Sequence, residues 1–201
     1  YIFSGEPTCF GIFDLLTKSF SVHKGFEIPT EEFPISVYVK SRNVIYLLVC
    51  GEDTKKASVY EIDINNKKLT KISDDMPKSV YPSESTSLFY DECRDILLLL
   101  GGFTIIDDEK QHMTSIEDIW IFDIVSREWM NSDIKGPIPN NEDYSVIAGF
   151  DDSILFLMYG FELDTSNDIW CLEIKSMRWF KSHLHWPREL GSCDLVSVCL
   201  L

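Results

Sequence analysis

The same short pattern returns at intervals of 49, 60 and 50 residues along this chain, and this repetition limits the possible folds more than any other feature. Each copy has an acidic residue just after an aromatic or aliphatic run, a large apolar residue six positions later, and a glycine that ends an upstream apolar run. The acids are Asp14, Asp63, Asp123 and Glu173; the apolar residues are Phe20, Leu69, Trp129 and Trp179; the glycines are Gly5, Gly51, Gly101-Gly102 and Gly160. A period of this length is typical of repeat architectures, so we expect about four similar units.

Within each unit the local pattern predicts β-strands and no helix. Short β-branched and aliphatic runs, residues 44–49, 96–100 and 154–158, precede segments that alternate large and polar residues. Tight spacers at residues 65–67, 125–127 and 175–177 are typical of hairpin turns. Each unit therefore predicts four strands; in the third they lie near 87–90, at 96–100, at 119–124 and from Glu128 onward. One such sheet cannot bury both of its faces alone, so neighbouring sheets must stack.

These features resemble kelch repeats. The resemblance depends on the glycine-ended second strand, the third strand Asp118-Ile119-Trp120-Ile121-Phe122-Asp123 with its counterpart at residues 168–173, the tryptophan six residues on, and the proline-containing linkers. It covers nearly the whole chain and is strongest in units three and four. Only Gly101-Gly102 has the double glycine of the family, and Gly11 stands where the other units have Tyr60, Trp120 and Trp170.

The resemblance implies an all-β fold, a β-propeller of four-stranded antiparallel blades with about four blades present. The predicted blade units are residues 1–34, 35–82, 83–143 and 144–190, with a final strand at 191–201. Two arrangements are open: the final strand completes the first blade of a four-bladed ring, or these are consecutive blades of a longer ring. The second is favoured, because the chain begins without methionine and kelch-like propellers usually have more blades, so we expect a larger protein.

Composition limits the partners and the compartment. The formal charge is −15 and the isoelectric point about 4.5, which argues against binding to the phosphates of nucleic acids. No apolar run reaches the roughly 18 residues that a membrane span needs. The six cysteines have no C-x-x-C spacing and mostly lie in apolar runs, which favours a reducing, intracellular and cytoplasmic setting.

No set of residues makes a convincing catalytic, cofactor or metal site, so we predict a protein that is not an enzyme. His183-Leu184-His185 could place two imidazoles on one strand face for zinc or copper, but a solvated linker is the simpler interpretation. Asp91-Glu92 with Asp95, and Asp151-Asp152, could hold calcium or act as acid and base, but they fit the polar tips of hairpins better. Gly101-Gly102 lacks the phosphate-loop pattern, and the resemblance implies that such glycines serve close packing near the ring axis.

The repeated tryptophans Trp120, Trp129, Trp170 and Trp179 are predicted to pack between blades rather than to bind a ligand. The predicted strand order also separates the charged residues onto two opposite faces. Connections between second and third strands, and linkers between blades, should share one face and carry almost all of the negative charge. The predicted partner-binding residues on it are Glu52, Asp53, Asp107, Asp108, Glu109, Glu162 and Asp164.

The opposite face is predicted to be mildly basic, with Lys18, Lys40, Arg42, Lys67, Lys68, Arg94, Arg127, Lys175 and Arg178. We therefore expect a protein–protein interaction module, a kelch-type adaptor or scaffold that binds a basic protein or peptide. The long connection at residues 104–117 is the expected contact. The equally weighted alternative is an acidic face kept only for solubility. Rival functions are a propeller-framed enzyme such as a copper oxidase-like protein, and an actin-type cytoskeletal cross-linker.

Overall fold

The computed structural model describes residues 2–4, 9–14, 16–24, 35–50, 57–77, 86–101, 103–107, 112–115, 119–137, 144–150, 154–159 and 168–185. These residues form seventeen β-strands and no helix, and every strand pairing is antiparallel. The chain divides into two compact units, Tyr1–Lys78 and Ser79–Leu201. The prediction of an all-β chain of antiparallel sheets is confirmed for the described residues.

The first unit contains two sheets. Sheet 1 has three strands in the order β1-β2-β3: β1 Ile2–Ser4, β2 Cys9–Asp14 and β3 Ser19–Lys24. Sheet 2 has four strands in the order β4-β5-β6-β7: β4 Ile35–Val39, β5 Val44–Cys50, β6 Ala57–Asp63 and β7 Lys68–Ser73. One face of sheet 2 buries a cluster of aliphatic residues and Tyr60: Ile45, Leu47, Val49 and Ile62 are its other buried members.

The second unit contains two four-stranded sheets and a separate hairpin. Sheet 3 has the order β8-β9-β12-β13: β8 Ser87–Asp91, β9 Ile96–Leu100, β12 Ile119–Asp123 and β13 Glu128–Asn131. Sheet 4 has the order β14-β15-β16-β17: β14 Tyr144–Phe150, β15 Ile154–Tyr159, β16 Asp168–Glu173 and β17 Arg178–His185. The hairpin consists of β10 Phe103–Asp107 and β11 His112–Ser115.

Sheets 3 and 4 are joined by one hydrophobic cluster. Sheet 3 contributes residues from its two central strands, and sheet 4 contributes β16, the turn after it and Trp179. The buried members are Ile96, Leu98, Leu100, Ile119, Ile121, Leu172, Ile174, Met177 and Trp179. Apolar burial of this kind is the main favourable term in stacking sheets, so the expected stacking of neighbouring repeats is present within the second unit.

The recurrent acid of the sequence is explained by the hairpin turns. Asp123 ends β12, and its carboxylate accepts hydrogen bonds from the backbone N–H groups of Val125 and Ser126 at 2.9 and 2.8 Å. In sheet 2, the carboxylate of Asp63 accepts from the backbone N–H of Asn66 at 3.0 Å. A carboxylate at this position satisfies turn amides that no strand pairs, which is a known role of aspartate in turns.

Each of these turns ends in a residue with a left-handed backbone. The φ angles are between 50° and 63° in Lys18, Lys67, Arg127 and Met177, which occupy the same position in the four sheets, and Asn43 and Asp95 do the same in the first turns of sheets 2 and 3. Left-handed residues give hairpins a twist compatible with their strands. Sequence analysis located the turns that end at Lys67, Arg127 and Met177 but did not predict this backbone, because lysine, arginine and methionine have no special preference for it.

The linker after sheet 3 takes a different path from the one strand order predicts. Linkers were expected at the same end of the sheets as the connections between second and third strands. Instead Lys135 forms a parallel bridge with Arg178, with two 2.9 Å backbone hydrogen bonds to Met177 and Trp179. Residue 178 directly follows the last turn of sheet 4, so the linker returns to the opposite end, where it adds a short pairing to the outer edge of β17.

Candidate functional site

The β10–β11 hairpin is the part of the described structure that departs most from a plain repeat. It lies in the connection between β9 and β12, the two central strands of sheet 3, whose last described pair is Leu100 with Ile119. Its register pairs Phe103 with Ser115 and Asp107 with His112. The connection predicted as a long loop therefore contains a two-stranded ribbon. The β-branched and aromatic content of residues 103–106 accounts for the strand, a signal that the sequence interpretation passed over.

Only part of the predicted acidic surface lies in the described residues. Asp107 is the last residue of β10, at the tip end of the hairpin, where a register shift between Ile105 and Asp107 marks a bulge. The six other predicted partner-binding residues lie outside the described residues: Glu52, Asp53, Asp108, Glu109, Glu162 and Asp164. Asp108 and Glu109 follow Asp107 directly in the sequence, so three acids in succession begin at the end of β10.

The opposite end of sheet 3 carries the turn between β8 and β9, where Arg94 has a role that the sequence interpretation missed. Its guanidinium binds the carboxylate of Asp91, which is 1% exposed, and donates to the backbone carbonyl of Ile174 at 2.9 Å. Ile174 lies in the last turn of sheet 4. Arg94 was predicted as a cation of the basic face, and instead it joins two sheets. This contact between residues 80 positions apart has no sequence signature.

The other cations predicted for the basic face lie in or beside the hairpin turns as expected. Their side chains are exposed: Lys18, Lys40, Arg42, Lys67, Lys68, Arg127, Lys175 and Arg178. The carboxylates beside these cations accept hydrogen bonds within their own turns. The backbone N–H of Asn66 lowers the pKa of Asp63, and the backbone N–H of Ser126 lowers the pKa of Asp123. The turn ends therefore carry exposed positive charges beside carboxylates that accept backbone hydrogen bonds.

In sheet 2, side-chain hydrogen bonds connect the turn between β4 and β5 with the turn between β6 and β7. The amide of Asn43 donates to the side-chain oxygen of Asn65 at 2.7 Å, and the hydroxyl of Tyr38 donates to Asn43 at 2.9 Å. Nearby, Arg42 donates to the hydroxyl of Tyr46 at 3.4 Å, and burial raises the pKa of Tyr46 to about 12. These contacts fix the cation-bearing turns relative to each other, and sequence analysis did not identify them.

The repeated tryptophans occupy matching register positions with different surroundings. Trp179 is 4% exposed in the cluster shared by sheets 3 and 4, and Trp170 packs against that cluster. Trp129 contacts Phe122 of its own sheet, with ring centroids 5.1 Å apart. Its indole N–H is shielded from solvent and has no hydrogen-bond partner in the described part of the chain. Trp120 is half-buried in β12.

The recurrent glycines lie only partly within the described residues. Gly101 has a φ of 79°, which favours glycine after β9, whereas Gly51, Gly102 and Gly160 lie outside the described residues. Gly11 is buried, and a Cβ atom there would lie 2.3 Å from the ring of Phe20. The ring of Phe20 thus covers the place where the other units have a large aromatic residue, which compensates for the missing side chain.

The alternative chemical sites gain no geometric support in the described residues. The described residues contain no group of three or more histidine, cysteine, aspartate or glutamate side chains placed to hold a metal. His183 is exposed and lies in β17 with His185, so the linker interpretation of this segment was wrong. Asp91 and Asp95 frame the first turn of sheet 3, where Tyr90 donates to Asp95 at 2.9 Å, while Asp151-Asp152 lies outside the described residues.

The free cysteines Cys93 and Cys171 differ in environment. Cys93 is exposed in the turn of sheet 3, and Cys171 is buried in β16, where desolvation raises the pKa of its thiol. Within the described residues, no helix has the length and apolar character that a membrane span would require.

Comparisons with known proteins support the fold alone. No protein-family model matches the chain, and no curated protein matches it. Among solved structures, 93 chains match. One, titled "Structure of YjhT", superposes with a TM-score of 0.56 at 10% sequence identity. The match covers 80% of this chain and 53% of that one, so this chain spans about half the length of its structural neighbour.

Proposed function

We propose that this chain is part of a kelch-like β-propeller that acts as a non-catalytic interaction module, an adaptor or scaffold inside the cell. Its sheets would be blades, and its acidic loop face would bind a basic protein or peptide. The observation that carries the proposal is the β10–β11 hairpin, which interrupts an otherwise regular sheet and whose first strand ends at Asp107, followed in the sequence by Asp108 and Glu109. Inserted elements on a repeated scaffold commonly carry function.

Three further observations support the blade assignment and the polarity of charge. Sheets 2, 3 and 4 each have four antiparallel strands. Sheets 3 and 4 stack through a shared cluster, as blades do. In the second unit, the exposed cations Arg127, Lys175 and Arg178 lie in or beside the last turns of sheets 3 and 4. Arg127 lies at the end of sheet 3 away from the β10–β11 hairpin, so a basic partner would be attracted to one end of this sheet and repelled from the other.

A local charge reversal tests the proposal. The test variant changes Asp107, Asp108 and Glu109 to lysine, and the control variant changes Glu92, Glu128 and Asp133 to lysine, all exposed residues of sheet 3 or its linker. Both variants have the same net charge. Affinity for a fluorescent lysine-rich peptide is measured by anisotropy at low and physiological salt.

We expect the test variant to bind at least about tenfold more weakly than the control variant, a difference of about 1.4 kcal/mol. The loss should shrink as salt rises, because exposed charges are screened. An equal loss of peptide affinity in both variants would show that binding depends only on net charge, and the hairpin would be rejected as the contact.

A further inference from the structure

One end of sheet 2 carries a concentration of positive charge. It consists of the turns at residues 40–43 and 64–67 together with Lys68, the first residue of β7, and is called here the cationic end of sheet 2. Four of these nine residues are lysine or arginine, compared with 18 of 201 in the whole chain, whose formal charge is −15. All four side chains are exposed: Lys40, Arg42, Lys67 and Lys68. The cationic end is therefore a local exception on an acidic chain.

Hydrogen bonds hold the two turns in a fixed relation. The side-chain amide of Asn43 donates to the side-chain oxygen of Asn65 at 2.7 Å, and the backbone N–H of Ile64 donates to the carbonyl of Asn43 at 3.2 Å. Neighbouring strands lie about 4.8 Å apart, so the centres of these two turns lie about 10 Å apart. Because an extended chain rises about 3.3 Å per residue, a segment of three or four residues spans both turns.

The acid beside these turns leaves most of the positive charge uncompensated. Asp63 ends β6, and its two carboxylate oxygens accept hydrogen bonds from the backbone N–H and the side-chain amide of Asn66 at 3.0 and 2.7 Å. Both oxygens are therefore used within the turn. The four strands and two turns of sheet 2 contain five lysine or arginine residues and two acids, Glu61 and Asp63, so this sheet is positive where the whole chain is negative.

The corresponding turns of the other sheets differ. The two turns of sheet 3 contain two cations and two acids, Glu92 and Asp95, and one of the cations, Arg94, is bound to Asp91. The described last turns of sheets 1 and 4 contain one cation each, Lys18 and Lys175. In the described residues, no other pair of turns combines four exposed cations with the absence of acids.

We infer that the cationic end of sheet 2 is a second interaction surface, which binds a short acidic peptide segment. This inference goes beyond the proposed function, because it involves other residues and a partner of opposite charge. The four cations would pair with glutamate or aspartate carboxylates, and the exposed side chains of Ser41 and Asn65 lie in the same turns, where they can hydrogen-bond the segment.

A short segment fits this surface better than a long polyanion does. At physiological salt, charges interact mainly within about 8 Å, so a few carboxylates interact chiefly with the four cations. A nucleic acid would extend past the turns and meet a chain whose formal charge is −15, which opposes binding to phosphates.

The test removes positive charge at the cationic end and compares this with an equal loss elsewhere. The test variant combines Lys40→Gln, Lys67→Gln and Lys68→Gln; the control variant combines Lys24→Gln, Arg127→Gln and Lys175→Gln, which are also exposed. Both variants have the same net charge. Affinity of the full 201-residue chain for a short fluorescent peptide that alternates glutamate with serine is measured by anisotropy at low salt, with an oligouridine of equal length as the second probe.

We expect the glutamate–serine peptide to bind the test variant at least about tenfold more weakly than the control variant, because three exposed charge pairs are lost. In the natural chain the peptide should slow hydrogen exchange in residues 40–43 but not in residues 124–127, the last turn of sheet 3.

Three results would overturn the inference. Equal peptide affinities of the two variants would show that only net charge matters. Absence of peptide binding to the natural chain, or protection of residues 124–127 instead of 40–43, would remove the site from sheet 2. Tighter binding of oligouridine, weakened by the same three substitutions, would identify a nucleic acid as the partner in place of an acidic peptide. The proposed function is tested separately, since these variants leave Asp107 and the acids after it unchanged.

Discussion

At the scale of single residues, Gly136 shows how closely the linker approaches sheet 4. Its φ is 88°, and a Cβ atom there would lie 2.5 Å from the backbone oxygen of Trp179. Both the backbone conformation and the close approach require glycine. The neighbouring Lys135 makes its contacts to Met177 and Trp179 through backbone atoms, so its side chain is not part of this junction.

We predict that Gly136→Ala lowers the free energy of unfolding by about 2–4 kcal/mol, because strain and a backbone clash are added together. Urea unfolding followed by tryptophan fluorescence measures the change. Lys135→Ala is the matched control and should alter stability by less than about 0.5 kcal/mol. Similar values for the two variants would contradict the close approach.

A second effect of a single residue involves the carboxylate of Asp123. Its pKa is lowered by the turn N–H groups, first that of Ser126 and then that of Val125. A lowered folded-state pKa stabilises the protein above the unfolded pKa of about 3.9, and this contribution disappears as the pH falls through the folded value.

We predict that Asp123→Ala is less stable than the natural protein at pH 7, and that the gap narrows as the pH falls below about 4. Urea midpoints across this range measure it. Asp123→Asn, which keeps a neutral acceptor for the turn amides, should lie between the two. A gap that stays constant through the acid range would show that the charge of Asp123 is not held by the turn.

At the scale of elements, Arg94 connects the first turn of sheet 3 with the last turn of sheet 4. It neutralises Asp91, which is almost fully buried, and binds the carbonyl of Ile174. Loss of the guanidinium would leave the carboxylate of Asp91 with one described hydrogen bond, from the backbone N–H of Cys93. An uncompensated buried carboxylate is costly, although partial exposure of Arg94 moderates the effect.

We predict that Arg94→Ala lowers the free energy of unfolding by about 2 kcal/mol. Adding Asp91→Asn should recover part of the loss, because the unpaired charge is removed with its partner. Lys175→Ala, at an exposed turn cation of sheet 4, should have little effect. Strictly additive losses in the double variant would contradict a coupled pair.

At the scale of the whole molecule, the described repeats are alike in strand order and turn chemistry but not in packing. The residue six positions after the recurrent acid is 4% exposed at Trp179 and 54% exposed at Phe20. The shared cluster makes sheets 3 and 4 interdependent, because their buried side chains belong to one core. Nearest-neighbour coupling of this kind is the usual source of stability in repeat proteins.

We predict that Trp179→Ala costs about 3–5 kcal/mol and speeds hydrogen exchange in β9, Ile96–Leu100, although the substitution lies in the other sheet. Phe180→Ala, the next residue and 41% exposed, should leave exchange in β9 unchanged. Faster exchange confined to sheet 4 would show that the two sheets unfold separately.

The sequence by itself determined the strands, their antiparallel grouping and the turns. These depend on alternation, turn residues and capping acids that act within about ten residues, so β9 could be located to the residue and β12 to within one. The paired acids at Asp91 and Asp95 were correctly placed in a hairpin tip for the same reason. The β10–β11 hairpin, residues 103–115, was missed because an inserted segment has no counterpart in the other repeats.

Only the tertiary structure decided the contact of Arg94 with Ile174, the return of the linker to Arg178, and the burial of Trp179 where Phe20 stays exposed. Each depends on which surfaces meet when distant segments pack, and residues tens of positions apart leave no periodic trace of such a meeting. Local propensity fixes what each segment becomes, whereas the close packing of assembled sheets fixes which neighbours it touches.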